Sequence, residues 1–250
     1  MDDLSLLVDL HRDGFRQGPG SEACTKQALQ LANLPRNQHL RVADLGCGTG
    51  ASTVVLAQEL NAEVVAVDFL QPFLDVLNAR AAERGLSERI ESQCCSIDAL
   101  PFDDGVFDVI WSEGAIYNIG FEEGARSWKR HLRPGGILVV SEITWLTQSR
   151  PDELNQFWQA DYPQIGLASE KFGILERLGY SPCGYFVLPP ECWLNNYYEP
   201  IQERMDAFLE RNNHSEQAQA IAAAERAELD LYRKYSSFYS YGMYLARVPQ

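Results

Sequence analysis

Positive charge is scarce in this sequence: 21 lysines and arginines stand against 35 aspartates and glutamates, for a formal net charge of −14. A surface built to neutralise phosphates needs the opposite balance, so nucleic acid is not an expected partner. Long apolar runs are also missing, since no stretch approaches the roughly eighteen uninterrupted apolar residues of a membrane-spanning helix. No membrane partner is expected, and the protein should be soluble. The opening residues Met1 to Leu4 carry no basic segment leading into an apolar one, which predicts no secretion signal and a cytoplasmic location. The six cysteines, Cys24, Cys47, Cys94, Cys95, Cys183 and Cys192, contain no C-x-x-C pair. That spacing supports neither a zinc site nor a disulfide framework, and predicts reduced, mostly buried thiols. The four histidines, His11, His39, His131 and His214, lack ligand spacing and read as structural or surface groups.

What the sequence does hold is one organising stretch, Val42-Ala43-Asp44-Leu45-Gly46-Cys47-Gly48-Thr49-Gly50. An apolar run opening at Leu40 reads as a buried parallel strand, which breaks into alternating glycines before a helical pattern from Ala51 to Leu60. Glycine tolerates positive φ and lets a ligand approach the backbone, while the helix that follows turns its free N–H groups and positive dipole end towards the loop. This predicts a cradle for a nucleotide or nucleoside. A second apolar strand, Ala62 to Val67, ends at Asp68, the distance at which a Rossmann-like unit presents an acceptor to two ribose hydroxyls. The same carboxylate could instead cap the helix expected over 71–84.

Further strands are expected over 90–95, 106–111 and 137–143, with a helix over 121–132 and a sharp stop at Leu132-Arg133-Pro134-Gly135-Gly136. Strands alternating with helices at this spacing imply a parallel α/β sheet covered on both faces, with its ligand at the carboxyl ends of the strands. Ahead of the sheet, helices over 4–12 and 21–33 form an N-terminal helical cap, residues 1–35. The link between them, Phe15 to Gly20, is either a plain turn or a flap that closes over the ligand with Arg16 pairing a carboxylate. Beyond Trp145, helices are expected over 151–162 and 169–178 and a strand over 180–188. A long helical stretch over roughly 194–235 follows, and a last strand covers 238–246. The reading is one domain, 1–250, with a helical insertion at about 189–235 before its last strand.

Two cofactors compete for such a cradle. Gly46-x-Gly48-x-x-Ala51 satisfies a loose dinucleotide fingerprint, whereas Asp44 just before the loop suits the positive charge of S-adenosylmethionine. Three motifs in register then decide between them. Asp44 to Gly50, Leu100-Pro101-Phe102 followed by Phe107-Asp108-Val109, and Leu132 to Gly136 resemble the successive motifs of class I S-adenosylmethionine-dependent methyltransferases. Arg16-Gln17-Gly18-Pro19-Gly20-Ser21 resembles a subgroup of bacterial small-molecule methyltransferases, and the overall order is similar to ubiquinone and menaquinone C-methyltransferases.

The resemblance implies a Rossmann-like seven-stranded sheet, order 3-2-1-4-5-7-6, with the last strand antiparallel and helices on both faces. It implies S-adenosyl-L-methionine as cofactor and a small molecule as methyl acceptor. It assigns Gly46, Gly48 and Gly50, with Asp44 and Cys47 beside them, to the methionine end. Asp68 falls to the ribose, Phe69 and Ile97 to the adenine ring, and Asp98 to its amino group. Glu113 borders the sulfonium, and Arg16 and Gly18 join the cofactor set from the N-terminal loop. Candidates for a general base at or after strand ends are Glu113 and Tyr117, with Glu142 and Trp145 also considered. The competing readings are a non-catalytic S-adenosylmethionine-binding protein and an NAD-dependent oxidoreductase.

Overall fold

The computed structural model describes residues 3–35 and 37–250. Eight strands form one sheet: β1 (Leu40–Leu45), β2 (Ala62–Asp68), β3 (Ile90–Cys94), β4 (Phe107–Ser112), β5 (Leu132–Trp145), β6 (Gly166–Leu167), β7 (Ser181–Val187) and β8 (Tyr239–Arg247). The order is β3-β2-β1-β4-β5-β8-β7, with β6 attached to β5 off this path. The strand not anticipated is the two-residue β6, which pairs with Thr144 and Trp145 and is too short to leave a periodic signal. With it set aside, the order is the expected 3-2-1-4-5-7-6. The last strand runs antiparallel to both neighbours.

The inner strands read as unbroken apolar runs because both of their faces are covered. Alternate residues feed two cores. Val42, Val64, Val109 and Val139 pack on one side with Leu56, Leu77 and Trp158. Ala43, Val65, Ile110 and Val140 pack on the other with Phe121, Trp128 and Leu175. The helices supplying these residues are α3 (Ala51–Glu59), α4 (Gln71–Glu83), α5 (Phe121–Trp128), α6 (Asp152–Asp161) and α7 (Ala168–Arg177).

The N-terminal helices are α1 (Asp3–His11) and α2 (Glu22–Ala32). Ser21 caps α2 by accepting from the Cys24 amide at 3.0 Å, as its hydroxyl at that position predicts. The long helix expected over 194–235 is divided. Helix α8 (Glu191–Trp193) passes through a π-helical turn, Leu194–Tyr198, into α9 (Glu199–Arg211), and α10 (Glu216–Tyr235) starts afresh. At the break Asn213 and His214 adopt left-handed φ of 54° and 50°, and Ser215 accepts from Ala218 N at 3.3 Å. Asn-Asn-His-Ser is a helix stop followed by an N-cap, a signal outweighed by the Glu- and Ala-rich sequence on either side. A third core joins Leu6 and Leu10 of α1 to Ile201, Met205 and Phe208 of α9 and to Ala218 and Ala222 of α10. The two helical segments at opposite ends of the sequence thus form one layer.

Candidate functional site

The carboxyl ends of the first four strands open into a cleft of about 690 Å³, whose far wall comes from α1, the π-helical turn and α10. At its centre the loop after β1 folds back over the end of β2, since the amides of Gly46 and Cys47 both donate to Val67 O, at 2.8 and 2.9 Å. Gly46 takes φ of 74° and Gly48 φ of 53°. At Gly46 a Cβ would overlap that of Ala115, and at Gly48 it would overlap the Gln17 side-chain oxygen. Glycine is therefore required here both by backbone conformation and by close approach.

Asp68 ends β2 beside this loop. Its Oδ2 accepts from Gly48 N and its Oδ1 from Leu70 N, each at 2.9 Å. Burial pushes its carboxyl up, and the amide hydrogen bonds oppose that shift. One lone pair remains on each oxygen for a further donor. Phe69, 58% exposed, and Ile97 and Asp98 after β3 continue the same wall. Asp44 lies behind the loop instead of in the cleft wall. It is fully buried, with Oδ2 taking hydrogen bonds from Ser52 Oγ at 2.9 Å and Thr53 Oγ1 at 2.6 Å, while Oδ1 has no partner. Burial raises its carboxyl to about 7, against the two hydroxyl donors. Gly50 also stands back from the cleft, as the N-cap of α3 against Leu77. Burial pushes the Cys47 thiol up as well, keeping it protonated.

Residues 14–20 are strapped to the glycine loop. Gln17 Oε1 accepts from Thr49 N at 2.8 Å while its Nε2 donates to His11 O at 3.1 Å and Gly14 O at 3.2 Å. Arg80 bridges the same segments, donating to Thr49 O at 2.8 Å and Gly14 O at 3.0 Å. Gly18 lines the cleft in this strap. Arg16 pairs with Glu113 at 2.7 Å, both side chains nearly sealed from solvent. Glu113 also accepts from Thr25 Oγ1 at 2.7 Å and Trp111 Nε1 at 2.9 Å. Arg16 thus meets a carboxylate of the protein itself, and three donors hold Glu113. Tyr117, on a 3-10 turn after β4, remains 40% exposed in the cleft wall.

Glu142 and Trp145 do not reach the cleft. Glu142 is fully buried and held at 2.7 Å by Lys171 Nζ and at 2.7 Å by Tyr162 OH. Trp145 lies under the Arg150 guanidinium, 4.1 Å from its ring centre, at a separate surface depression. Conversely, the structure brings in His11, Tyr197 and Glu225, which no motif marks, and Gln17, which the Arg16–Ser21 motif contains without a role. They come from α1, the loop after it, the π-helical turn and α10, so only the packing of the third core unites them. Among the described residues lining the cleft, Arg16 is the only arginine or lysine.

Residues 42–136 match the model of a methyltransferase domain family. The demethylmenaquinone methyltransferase of Lactiplantibacillus plantarum is 32% identical over 145 residues, covering 56% of this chain and 58% of that protein. The chain spans about half the length of the curated relatives it matches. Among solved structures, an S-adenosylmethionine-dependent methyltransferase from Geobacter sulfurreducens, in complex with S-adenosyl-L-homocysteine, superposes with a TM-score of 0.83 at 22% identity. That match covers 99% of this chain and 98% of that one. The [4+2]-cyclase SpnF superposes with a TM-score of 0.77, also at 22% identity, over 98% of this chain and 93% of its own. At such identities the likeness is one of fold, and a fold hosts more than one reaction. Residues 42–136 are thus similar to a methyltransferase domain, and the sheet that carries them has the fold of S-adenosylmethionine-dependent methyltransferases.

Proposed function

We propose that this protein binds S-adenosylmethionine in the cleft and transfers its methyl group to a small-molecule acceptor. The observation that carries this reading is the charge around the glycine loop. Each oxygen of Asp68 keeps a free lone pair at the cleft wall, and Arg16, the only arginine or lysine among the described residues lining the cleft, is paired with Glu113. A ligand bearing a ribose diol supplies donors to Asp68, whereas a dinucleotide diphosphate would find no unpaired lysine or arginine among the described residues lining the cleft. In this reading Asp68 receives the ribose hydroxyls, Phe69 and Ile97 border the adenine, Asp98 accepts from its amino group, and Gly46 to Gly48 leave room for the methionine portion.

The bound cofactor supplies a methyl group on a sulfonium, already activated for in-line displacement. What the protein's residues contribute is alignment and the exclusion of water. Arg16 and Glu113, paired across the cleft's edge, fix the N-terminal strap against the end of β4, and Gln17 and Arg80 fix it against the glycine loop. Tyr117 borders the acceptor. The helical layer of α1, α9 and α10 acts as its cap and lid. An acidic surface and a cleft of this size suit a small acceptor over RNA or DNA. Six free cysteines support a reducing, cytoplasmic setting.

Incubation with methyl-labelled S-adenosylmethionine and a metabolite extract tests the reading. Label is expected in a low-molecular-weight product; cofactor binding without any labelled product across broad extracts would indicate a binder instead of an enzyme.

A further inference from the structure

At the end of the cleft formed by α1 and α10, two side chains carry polar atoms that the fold leaves unused. His11 Nε2 lies 3.3 Å from Glu225 Oε1, with the two side chains 11% and 10% exposed. His11 Nδ1 and Glu225 Oε2 are buried without a partner. The imidazole stacks on Tyr197, ring centres 6.4 Å apart and planes within 8°, and all three residues line the cleft. Carboxylates accept only, so Glu225 holds the proton on Nε2 and leaves the Nδ1 lone pair free. Tyr197 sits on the π-helical turn, a type of irregularity that recurs at functional sites. The His11 carbonyl is tied through Gln17 to Thr49 of the glycine loop, so the dyad is fixed relative to the proposed cofactor pocket.

The surroundings select the charge of the acceptor. Glu228, one turn along α10 from Glu225, is hydrogen-bonded by Tyr198 OH at 2.9 Å, and burial raises its carboxyl to about 7. From α9, Arg204 approaches Gly14 beside the His11 carbonyl. A phenolate or carboxylate acceptor would add negative charge next to Glu225 and Glu228. An alkylammonium titrates near 10.4, like lysine, and is drawn to carboxylates and to the faces of Tyr197 and Tyr117.

We propose that the acceptor is a small protonated amine, bound against Tyr197 and Glu225, and that His11 takes its proton as general base with Glu225 as the positioning residue. The inference rests on the methyl-transfer reading above. The ammonium releases one proton to His11 Nδ1 and keeps the N–H electron pair as its lone pair. That lone pair forms the new N–C bond to the methyl carbon while the S–C pair returns to sulfur, and the proton on His11 leaves to solvent.

The test begins by saturating the protein with S-adenosylhomocysteine, whose failure to bind would count against the methyl-transfer reading itself. Calorimetric titration of the saturated protein with tetramethylammonium should show binding, with none for the neutral analogue of the same size, tert-butanol. Glu225→Gln should weaken tetramethylammonium about tenfold or more while retaining S-adenosylhomocysteine affinity, which also reports an intact fold. In nitrogen-15 spectra, His11 should carry its proton on Nε2, and methylammonium should shift the Nδ1 resonance whereas tetramethylammonium, which has no N–H, should not. No cation binding, or equal binding by Glu225→Gln, would overturn the amine subsite. An Nδ1 resonance indifferent to methylammonium would overturn the base.

Discussion

Asp68 serves the fold and the cleft with the same carboxylate. The amides of Gly48 and Leu70 take one lone pair from each oxygen and hold the group at the end of β2, leaving the other two for a ligand. Asp68→Ala removes two charge-assisted acceptors from the proposed ribose site, so affinity for S-adenosylmethionine should fall by about 2–4 kcal/mol, measured by calorimetry. Unchanged affinity would remove Asp68 from the site. Asp44 differs because burial dominates it, lifting its carboxyl to about 7. Between about pH 4, where an unfolded aspartate titrates, and about pH 7 the folded chain binds the extra proton. The stability this contributes is complete below that window and is lost as pH rises through it. Asp44→Asn keeps an acceptor for Ser52 and Thr53 without the charge. Its stability relative to the unmutated protein should therefore rise from pH 4 to pH 8, by on the order of 1–4 kcal/mol in denaturant titrations without ligand. A gap that narrows over that range would mean the ionised carboxylate is stabilised by a group on the protein.

Among the elements, the layer of α1, α9 and α10 carries the account's unassigned specificity. Its core is small, and Leu10 is sealed within it against α9 and α10 one residue before His11. Leu10→Ala should cost about 2–5 kcal/mol through lost burial and the cavity left behind. Hydrogen exchange should quicken first in α1 and α9, with β1, β4 and β5 still protected; uniform loss across the sheet would show that the layer and the sheet unfold as one unit. The strap at residues 14–20 couples this layer to the chemistry. Gln17 links the last turn of α1 to Thr49, and Arg80 repeats the link from α4.

Across the whole molecule, what could be read in advance followed from local rules. Buried strands, the glycine loop and the position of Asp68 at the end of β2 each follow from residues adjacent in sequence, and the sheet order follows from motifs in register, whereas β5 starts at Leu132 and runs through the Pro-Gly-Gly expected as a stop. The break between α9 and α10 is marked by Asn213, His214 and Ser215, but helix propensity on both sides outweighs it. The strand β6 left no period to detect. His11 and Glu225 were out of reach for a different reason. They lie at opposite ends of the chain, their meeting depends on Leu6, Leu10 and Met205 packing together, and a histidine without a neighbouring motif carries no role. Likewise Glu142 looked available at a strand end until its partner Lys171 was seen, since a buried ion pair is a property of packing.

The central claim is that the glycine loop holds a cationic sulfonium nucleoside and not a dinucleotide. Parallel calorimetric titrations of the unmutated protein with S-adenosylmethionine and with NADH test it most directly. Saturable one-site binding of S-adenosylmethionine and no detectable heat from NADH are expected. Binding of NADH alone, or of neither, would contradict it.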